Sequence, residues 1–335
     1  MPTVSVIIVN YNGEKLLADC LGSLARQTYR DFEVIFVDNG SADASLARAR
    51  ELMPEARFLP LPENTGFAKG NNVGIAVARG KYLVLLNNDT EADPRFLEEL
   101  VAAAEQNPRA GMVAPKILNF FDRTLIDSVG GLVMCPDGIA QGRGRGERDV
   151  GQYDGLGEVL MPSGCAALYR KDMLDEVGLF AEDFFAYCED SDLGLRCLWA
   201  GWLTVAAPRA VVFHKYSASS STYSPWKLRL VERNHYLLAL RNFPPHMLAM
   251  MPVWSVYRYG LMAYALLSGK GKGQATGGGQ GGALLEAFLR GHWEALRAGP
   301  HHLRHKAAKR RLSDEQFTQL LRNHRMPLRA MIFNA

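Results

Sequence analysis

The feature that most constrains this fold is an alternation in the first ninety residues, where short apolar runs are separated by helix-like stretches. "VSVIIVN" (4–10), "FEVIFVD" (32–38), "RFLPL" (57–61) and "YLVLLN" (82–87) are the strand candidates. The first, second and fourth are near-continuous apolar runs, as strands buried on both faces must be. Between them lie "EKLLADCLGSLARQ", with Leu17, Cys20, Leu21 and Leu24 at helical spacing, and a weaker helix over 43–52. A third stretch, "GFAKGNNVGIAVARG", has small residues that allow close approach to a sheet. Such alternation predicts an α/β fold on a parallel sheet with right-handed crossovers.

In sheets of this kind ligands bind beyond the carboxyl ends of the strands. The residues expected there are polar: "NYNG" (10–13), "DNGSAD" (38–43), "ENTG" (63–66) and "NNDT" (87–90). Any one alone is ordinary turn chemistry; four converging on one edge mark it as the site. Further on, a helix is expected near 94–106 and a strand near 112–119. Residues 122–158, rich in Gly, Asp and Arg, predict a long mobile excursion of the sort used as lids. "SGCAALYRKDMLDEVG" (163–178) reads as a strand entering a short helix. Next, "FFAYCEDSDLGLRCLWAGW" places a second cluster of carboxylates at the opening of an apolar helix, and "AVVFHKYS" (210–217) closes the body. A helix is expected from Ser224-Pro225, with Ser as cap and Pro at the first position. The reading is a body over 1–223 and a helical extension over 224–335, with a flexible Gly-rich linker at 269–282.

The two parts differ in charge. From residue 227 onward there are 17 Lys and Arg against 5 Asp and Glu, whereas residues 1–226 hold 21 against 30. An acidic body with a basic extension suggests two jobs, the second at an anionic surface. The five cysteines form no CxxC pair, which fits buried thiols in a reducing cytoplasm. "MPTVSVIIVN" lacks the basic region and long apolar core of a signal peptide and reads as an opening strand. The extension carries Trp226, Trp254 and Trp293, but no nucleic-acid motif accompanies them and no nucleic-acid partner is expected. Segment 246–268 is apolar, is interrupted by Pro252 and Arg258, and is marginal against the ~20 residues of a bilayer span. It is expected to lie in the interface, as a peripheral membrane contact helped by flanking Lys and Arg. The other reading is a basic appendage that forms a homodimer.

Taken together, "VSVIIVNYNG", "VDNGSAD", "NTGFAKGNNVGI", "LLNNDT" and "FFAYCEDSDLGLRCLWAG" resemble the family 2 glycosyltransferases of the GT-A fold, particularly the rhamnosyltransferase-like branch. The resemblance covers roughly residues 3–242, with the motifs in the expected order. It implies a Rossmann-like, mostly parallel sheet flanked by helices. It also implies an inverting hexosyltransferase that extends a cell-surface polysaccharide on the cytoplasmic face of the membrane. The donor would be a dTDP or UDP sugar, with rhamnose resting on the analogy alone. The acceptor would be a saccharide or lipid-linked saccharide.

Residue by residue, the chemistry is as follows. Asp38, ending the second strand, either accepts from a ring N–H of uracil or thymine, as the resemblance implies, or caps the next turn. Asn10, Tyr11 and Asn12 pack against the nucleoside or make a turn with Gly13, and both can hold at once. Asn39 belongs to the same edge. The segment carrying Asn64, Gly66, Phe67, Lys69 and Asn71 turns into a helix whose N–H groups suit an anion; the resemblance lays it along the nucleotide–sugar groove. Asn87, Asn88 and Asp89 end the fourth strand. A leaving diphosphate needs neutralising, and a divalent cation, Mg2+ or Mn2+, does so with one or two carboxylates beside the phosphates. Asp89 supplies one. The family's pattern is Asp-x-Asp, and Asn87 stands at its first position. His214 resembles a further metal ligand of the family; its plainer reading is structural. Inverting transfer needs a general base for the acceptor hydroxyl, and the resemblance gives that role to Asp190, with Glu189 orienting it. Capping of the helix, with Asp192 and Arg196 paired at i,i+4, is the plainer reading. Arg143, Arg145 and Arg148 either close over the diphosphate or are solvated. A sugar nucleotidyltransferase would show a glycine- and basic-rich segment where "NYNGEKLL" stands. A non-catalytic scaffold finds support only in Asn87.

Overall fold

The computed structural model describes residues 1–215, 224–268, 281–307 and 309–333. Strands β1 (Val4–Asn10) and β2 (Phe32–Asp38) form on the apolar runs and pair in parallel, from Val4 opposite Phe32 to Asn10 opposite Asp38. That register puts two polar termini side by side at one edge. β3 (Arg57–Pro60) lies outside β2, and β4 (Tyr82–Leu86) flanks β1 on its other side, both parallel. Side-chain alternation along β1 sends Val4, Val6 and Ile8 into one core and Ile7 into another on the opposite face. Helix α1 (Leu17–Ala25) seals the first with Leu17, Cys20, Leu21 and Leu24. After α2 (Ser45–Leu52), α3 (Phe67–Val77) covers the second face.

Beyond β4 come β5 (Thr90–Ala92), α4 (Phe96–Gln106) and β6 (Ala110–Asn119). The segment expected to be a mobile excursion, 122–158, is instead built. It holds β7 (Ile126–Val129), β8 (Leu132–Met134), β9 (Ala140–Gly142) and β10 (Glu158–Val159). Its glycines serve tight reversals at positive φ, at Gly130, Gly131, Gly138 and Gly144. The buried Lys116 of β6 ties it down through Asp149 at 2.8 Å and Asp154 at 2.7 Å. β11 (Ala166–Arg170) then leads into α5 (Lys171–Val177), and α6 (Glu189–Trp199) into β12 (Leu203–His214). The last two residues of the expected strand 210–217 fall outside the described residues. The main sheet runs β10-β12-β6-β11-β4-β1-β2-β3. β3, β2, β1 and β4 are parallel and β12 is parallel to β6; β11, inserted between, is antiparallel to both neighbours.

The extension opens with α7 (Pro225–Asn242), where the Ser224 side chain accepts from Lys227 N at 3.2 Å, as its cap-and-proline start requires. α8 (Pro245–Ser268), α9 (Gly281–Arg304), α10 (Asp314–Asn323) and α11 (Leu328–Phe333) follow. The linker expected at 269–282 lies, apart from Gly281 and Gly282, outside the described residues. The extension is seated on the body through a third apolar core, where Trp199 stacks on Phe317 at 4.0 Å and donates to the Asn242 carbonyl at 2.9 Å. Arg258, an interruption in the apolar run, is buried between Glu232 at 2.8 Å and Asp137 at 2.6 Å. Among the described residues no helix is long and apolar enough to cross a membrane.

Candidate active site

The loops at the carboxyl edge are laced by amides. Asn10 is fully buried: its Nδ2 donates to Asp38 Oδ1 (3.4 Å) and Ser41 Oγ (3.2 Å), and its Oδ1 accepts from Asn88 Nδ2 (2.7 Å). One side chain thus joins the ends of three strands. Asn39 does the same one loop further out, donating to Asn64 Oδ1 (3.2 Å) and the Gly66 carbonyl (3.0 Å) while accepting from Thr65 N (2.9 Å). Asn12, at φ 50°, accepts from Ala42 N at 2.7 Å.

These loops open on a cavity of about 470 Å³. Tyr11, Asn39, Asn64, Gly66, Phe67, Asn87, Asn88, Asp89, Glu189, Asp190 and His214 line it. Five expected residues do not line it. Asn10 and Asp38 are buried behind the wall, Asn12 and Lys69 are exposed, and Asn71 is buried with its Nδ2 on the Phe67 carbonyl at 2.9 Å. Of the three arginines, Arg145 lines the cavity. Arg143 contacts His324 Nδ1 at 3.4 Å, and Arg148 donates to Thr124 Oγ1 at 3.2 Å.

Asp89 and His214, far apart in sequence, are brought together by strand register. β5 pairs antiparallel with β12, setting His214 opposite Thr90, so the preceding Asp89 faces it. His214 Nε2 lies 3.4 Å from Asp89 Oδ1, a buried oxygen without a hydrogen bond. On the ring's other side, Nδ1 meets Asp127 Oδ2 at 2.7 Å, and Asp127 is also paired with Arg145 at 2.7 Å. Burial opposes a charged imidazole, but the neighbouring Cys165, Asp127 and Asp89 raise His214 well above its ordinary range. Asp127, on β7, is not expected from the sequence: it sits in the Gly-rich stretch, and only the pairing of β7 with β6 delivers it. Among the described residues no three His, Cys, Asp or Glu side chains form a metal-holding group. A hard cation nevertheless fits Asp89 Oδ1, since Mg2+ is usually held by one or two carboxylates together with substrate phosphates, and His214 joins it once Nε2 has lost its proton. Asp127 would act as the partner that orients a ligating histidine.

The start of α6 lines the same cavity. Asp190 accepts from Gly164 N at 2.8 Å and from Ser191 N at 2.6 Å, and burial raises its pKa in spite of them. Glu189 is buried with Oε2 unpartnered; burial, then the charges of Asp190 and Asp192, push it well up. Asp192 points away into a buried pair with Arg196 (2.8 Å) and Arg241 (2.9 Å). The plainer i,i+4 reading is therefore met by Asp192, which leaves Glu189 and Asp190 to the cavity.

The segment leading into α6 is strained, with Phe185, Tyr187 and Cys188 at φ 66°, 70° and 68°, where bulky side chains are rarely found. Asn234 of α7 holds it: its buried Nδ2 donates to the carbonyls of Phe184 (2.9 Å), Ala186 (2.8 Å) and Tyr187 (2.8 Å). Gly66 sits so close that a Cβ there would lie 2.6 Å from the Phe185 carbonyl oxygen. Trp226 packs edge-on against Phe185 and Tyr187 at the cavity wall. No local pattern in the sequence marks Asn234 or Trp226 as belonging to this site.

The model of Glycosyl transferase family 2 matches residues 5–178, which hold the laced loops and Asp89. The chain belongs to glycosyl transferase family 2. This family 2 glycosyltransferase is 29% identical over 251 residues to N-acetylglucosaminyl-diphospho-decaprenol L-rhamnosyltransferase of Mycobacterium tuberculosis, covering 64% of the chain and 76% of the relative. It is 30% identical over 228 residues to the O-antigen biosynthesis protein RfbC of Myxococcus xanthus, covering 65% of the chain and 18% of that protein. In fold, the glycosyltransferase matches S. aureus TarS 1–349 in complex with UDP-GlcNAc with TM-score 0.55 and 18% identity, over 95% of this chain and 92% of that one. It also matches the mannosyltransferase PcManGT of Pyrobaculum calidifontis, in complex with GDP-Man and Mn2+, with TM-score 0.52 and 19% identity, over 90% and 86%. The fold is GT-A.

Proposed function

We propose that the enzyme moves a sugar from a nucleoside diphosphate to a hydroxyl of a saccharide or lipid-linked saccharide, with inversion, by single displacement. The observation that carries this reading is the meeting, in one cavity, of the Asp89–His214 corner and the Asp190 carboxylate. The nucleotide would lie along the loops after β1, β2 and β3, with Tyr11, Asn39, Asn64, Gly66 and Phe67 against it and Asp38 behind. Asp89 and His214 would hold Mg2+ or Mn2+, which when bound neutralises charge on the leaving diphosphate. Asp190 takes the proton of the acceptor hydroxyl as its oxygen bonds to the anomeric carbon and the bond to the diphosphate breaks. A carboxylate raised by burial is a better proton acceptor near neutrality than an exposed one. The Gly164 and Ser191 N–H groups fix its direction.

The relative named for a decaprenyl-linked acceptor supports a lipid-linked substrate here, and rhamnose as the sugar, from a dTDP or UDP donor. We read residues 1–223 as the transferase body and 224–335 as an extension. That extension would keep the enzyme peripherally on the cytoplasmic face of the membrane, as monomer or homodimer. The test is turnover and thermal shift with dTDP and UDP sugars, with and without Mn2+. A ligand at 100 times its dissociation constant should add about 2.7 kcal/mol. Asp190→Asn should keep that shift and lose turnover, and Asp89→Ala should lose the shift. Turnover by Asp190→Asn equal to wild type would overturn the assignment.

A further inference from the structure

We propose that the outward faces of α9 and α8 form one apolar strip that docks in the plane of an anionic lipid bilayer. The proposal rests on the peripheral-membrane reading above and names the surface responsible. On α9, Leu285, Leu289, Trp293, Leu296 and Leu303 are all exposed, Leu296 to 73%. At 3.6 residues per turn they fall within a sector of roughly 80°. The opposite face, Ala287, Gly291, Ala295, Gly299 and His302, is buried, and its small residues let α9 lie against α7, where a Cβ on Gly291 would meet the Arg229 carbonyl oxygen at 2.6 Å. The exposed leucines and Trp293 are therefore not core residues in waiting, because the core side of the helix is already filled.

The borders of the strip specify the partner. Along one border Arg290, Arg297 and Arg304 recur every seven residues, all exposed. Along the other, Phe288 and His292 meet Tyr259 of α8, the rings of Tyr259 and Phe288 5.1 Å apart and the Tyr259 hydroxyl 2.7 Å from His292 Nε2. Beyond that seam α8 exposes Val253, Val256, Tyr257, Tyr264 and Leu267, within a sector of roughly 100°, Leu267 at 88% exposure. An apolar stripe edged by arginines, with Trp and Tyr among its residues, is what an interfacial helix needs: acyl-chain contact for the stripe and headgroup phosphate for the cations. A second copy fits less well, because the extension carries 17 Lys and Arg against 5 Asp and Glu from residue 227 onward, and pairing two such surfaces sets like charges together.

The experiment is flotation of the full chain with vesicles of equimolar phosphatidylglycerol and phosphatidylcholine, against vesicles of phosphatidylcholine alone, with Trp293 emission as a second readout. Wild type should float with the anionic vesicles and its emission should shift to the blue; Trp293→Phe should abolish the shift. Leu289→Asp with Trp293→Asp should abolish flotation. Neutralising Arg290, Arg297 and Arg304 to Gln should weaken it on the order of a hundredfold, at about fivefold per cation. All are surface positions, and unchanged melting of each variant is the control for folding. No flotation of wild type would sink the membrane reading itself. Flotation undiminished in the Leu289/Trp293 variant would leave that reading standing and overturn this surface. A dimer in solution that the same two substitutions dissociate would also overturn it, by giving the strip to a second copy.

Discussion

Asn234 tests whether the strained entry to α6 is held from outside or is simply filled space. Asn234→Ala removes an amide that donates to the carbonyls of Phe184, Ala186 and Tyr187. The Phe184 carbonyl keeps bonds from Ala186 N at 2.8 Å and from Arg233 at 2.8 Å. The loss therefore falls chiefly on the half-buried Ala186 carbonyl. An unpaired buried acceptor costs about 1–3 kcal/mol, so one with some access to water costs about 1 kcal/mol. The backbone strain at Phe185, Tyr187 and Cys188, about 1–3 kcal/mol each, then drives the segment to relax. Relaxation carries Glu189 and Asp190 with it, and a shift of ~1 Å in a catalytic group costs on the order of a hundredfold in rate. The expected result in denaturant unfolding and donor-turnover assays is a modest loss of stability with a large loss of turnover. Asn234→Asp should be worse than Asn234→Ala on both measures, because a carboxylate would face three carbonyl oxygens. Space-filling alone predicts the reverse order, and that order, or wild-type turnover in Asn234→Ala, would refute the reasoning.

Further expectations are equally specific. Asp127→Asn, which takes the carboxylate from His214 Nδ1, should weaken Mn2+ affinity by roughly 10–100-fold in a metal titration, while leaving the fold intact by circular dichroism. Gly66→Ala adds a methyl at φ 89° and 2.6 Å from the Phe185 oxygen, and should reduce nucleotide binding by calorimetry together with melting temperature. Arg258→Met strands Glu232 and Asp137 without their cation and should cost about 3–5 kcal/mol, part of it recovered by adding Glu232→Gln. The contribution of the Glu232–His235 pair to stability should also fall in acid. Burial would raise Glu232, but Arg258 holds it down to about 2, and burial with the Arg258 charge pushes His235 down to about 3. Both groups bind protons more readily when unfolded, so their contribution is present at neutral pH. It is lost for His235 as pH falls below about 6.5 and for Glu232 below about 4.3. Chemical unfolding of wild type and His235→Gln from pH 7 to 4 should show wild type losing ground to the variant, and parallel profiles would contradict it.

The first half of the fold was legible because the features that define it are local. Continuous apolar runs marked β1, β2 and β4 to within a residue, and Ser224-Pro225 marked the start of α7. Polar residues at strand ends placed Asn39, Asn64 and Asp89 on the cavity, because strand direction alone decides which edge a terminus joins. The 122–158 segment was misread because its glycines look like flexibility in a sequence. In the structure they are reversals, pinned by the ion pairs of the buried Lys116 with Asp149 and Asp154.

The alternation of strands and helices, the polar edge and the carboxylates available there are all written in local runs of residues. Tertiary structure alone decided which of them face one another. The Asp89–His214–Asp127 corner depends on β5 finding β12, where Thr90 meets His214 from far along the chain, and on β7 folding back on its neighbour β6. The turn before Glu189 uses three non-glycine residues at positive φ, which local preference disfavours. It persists because Asn234, from a helix nearly fifty residues later, bonds to its carbonyls. Local propensity is written in neighbouring residues; the strain and pairing that build a site are held by partners the chain meets only on folding.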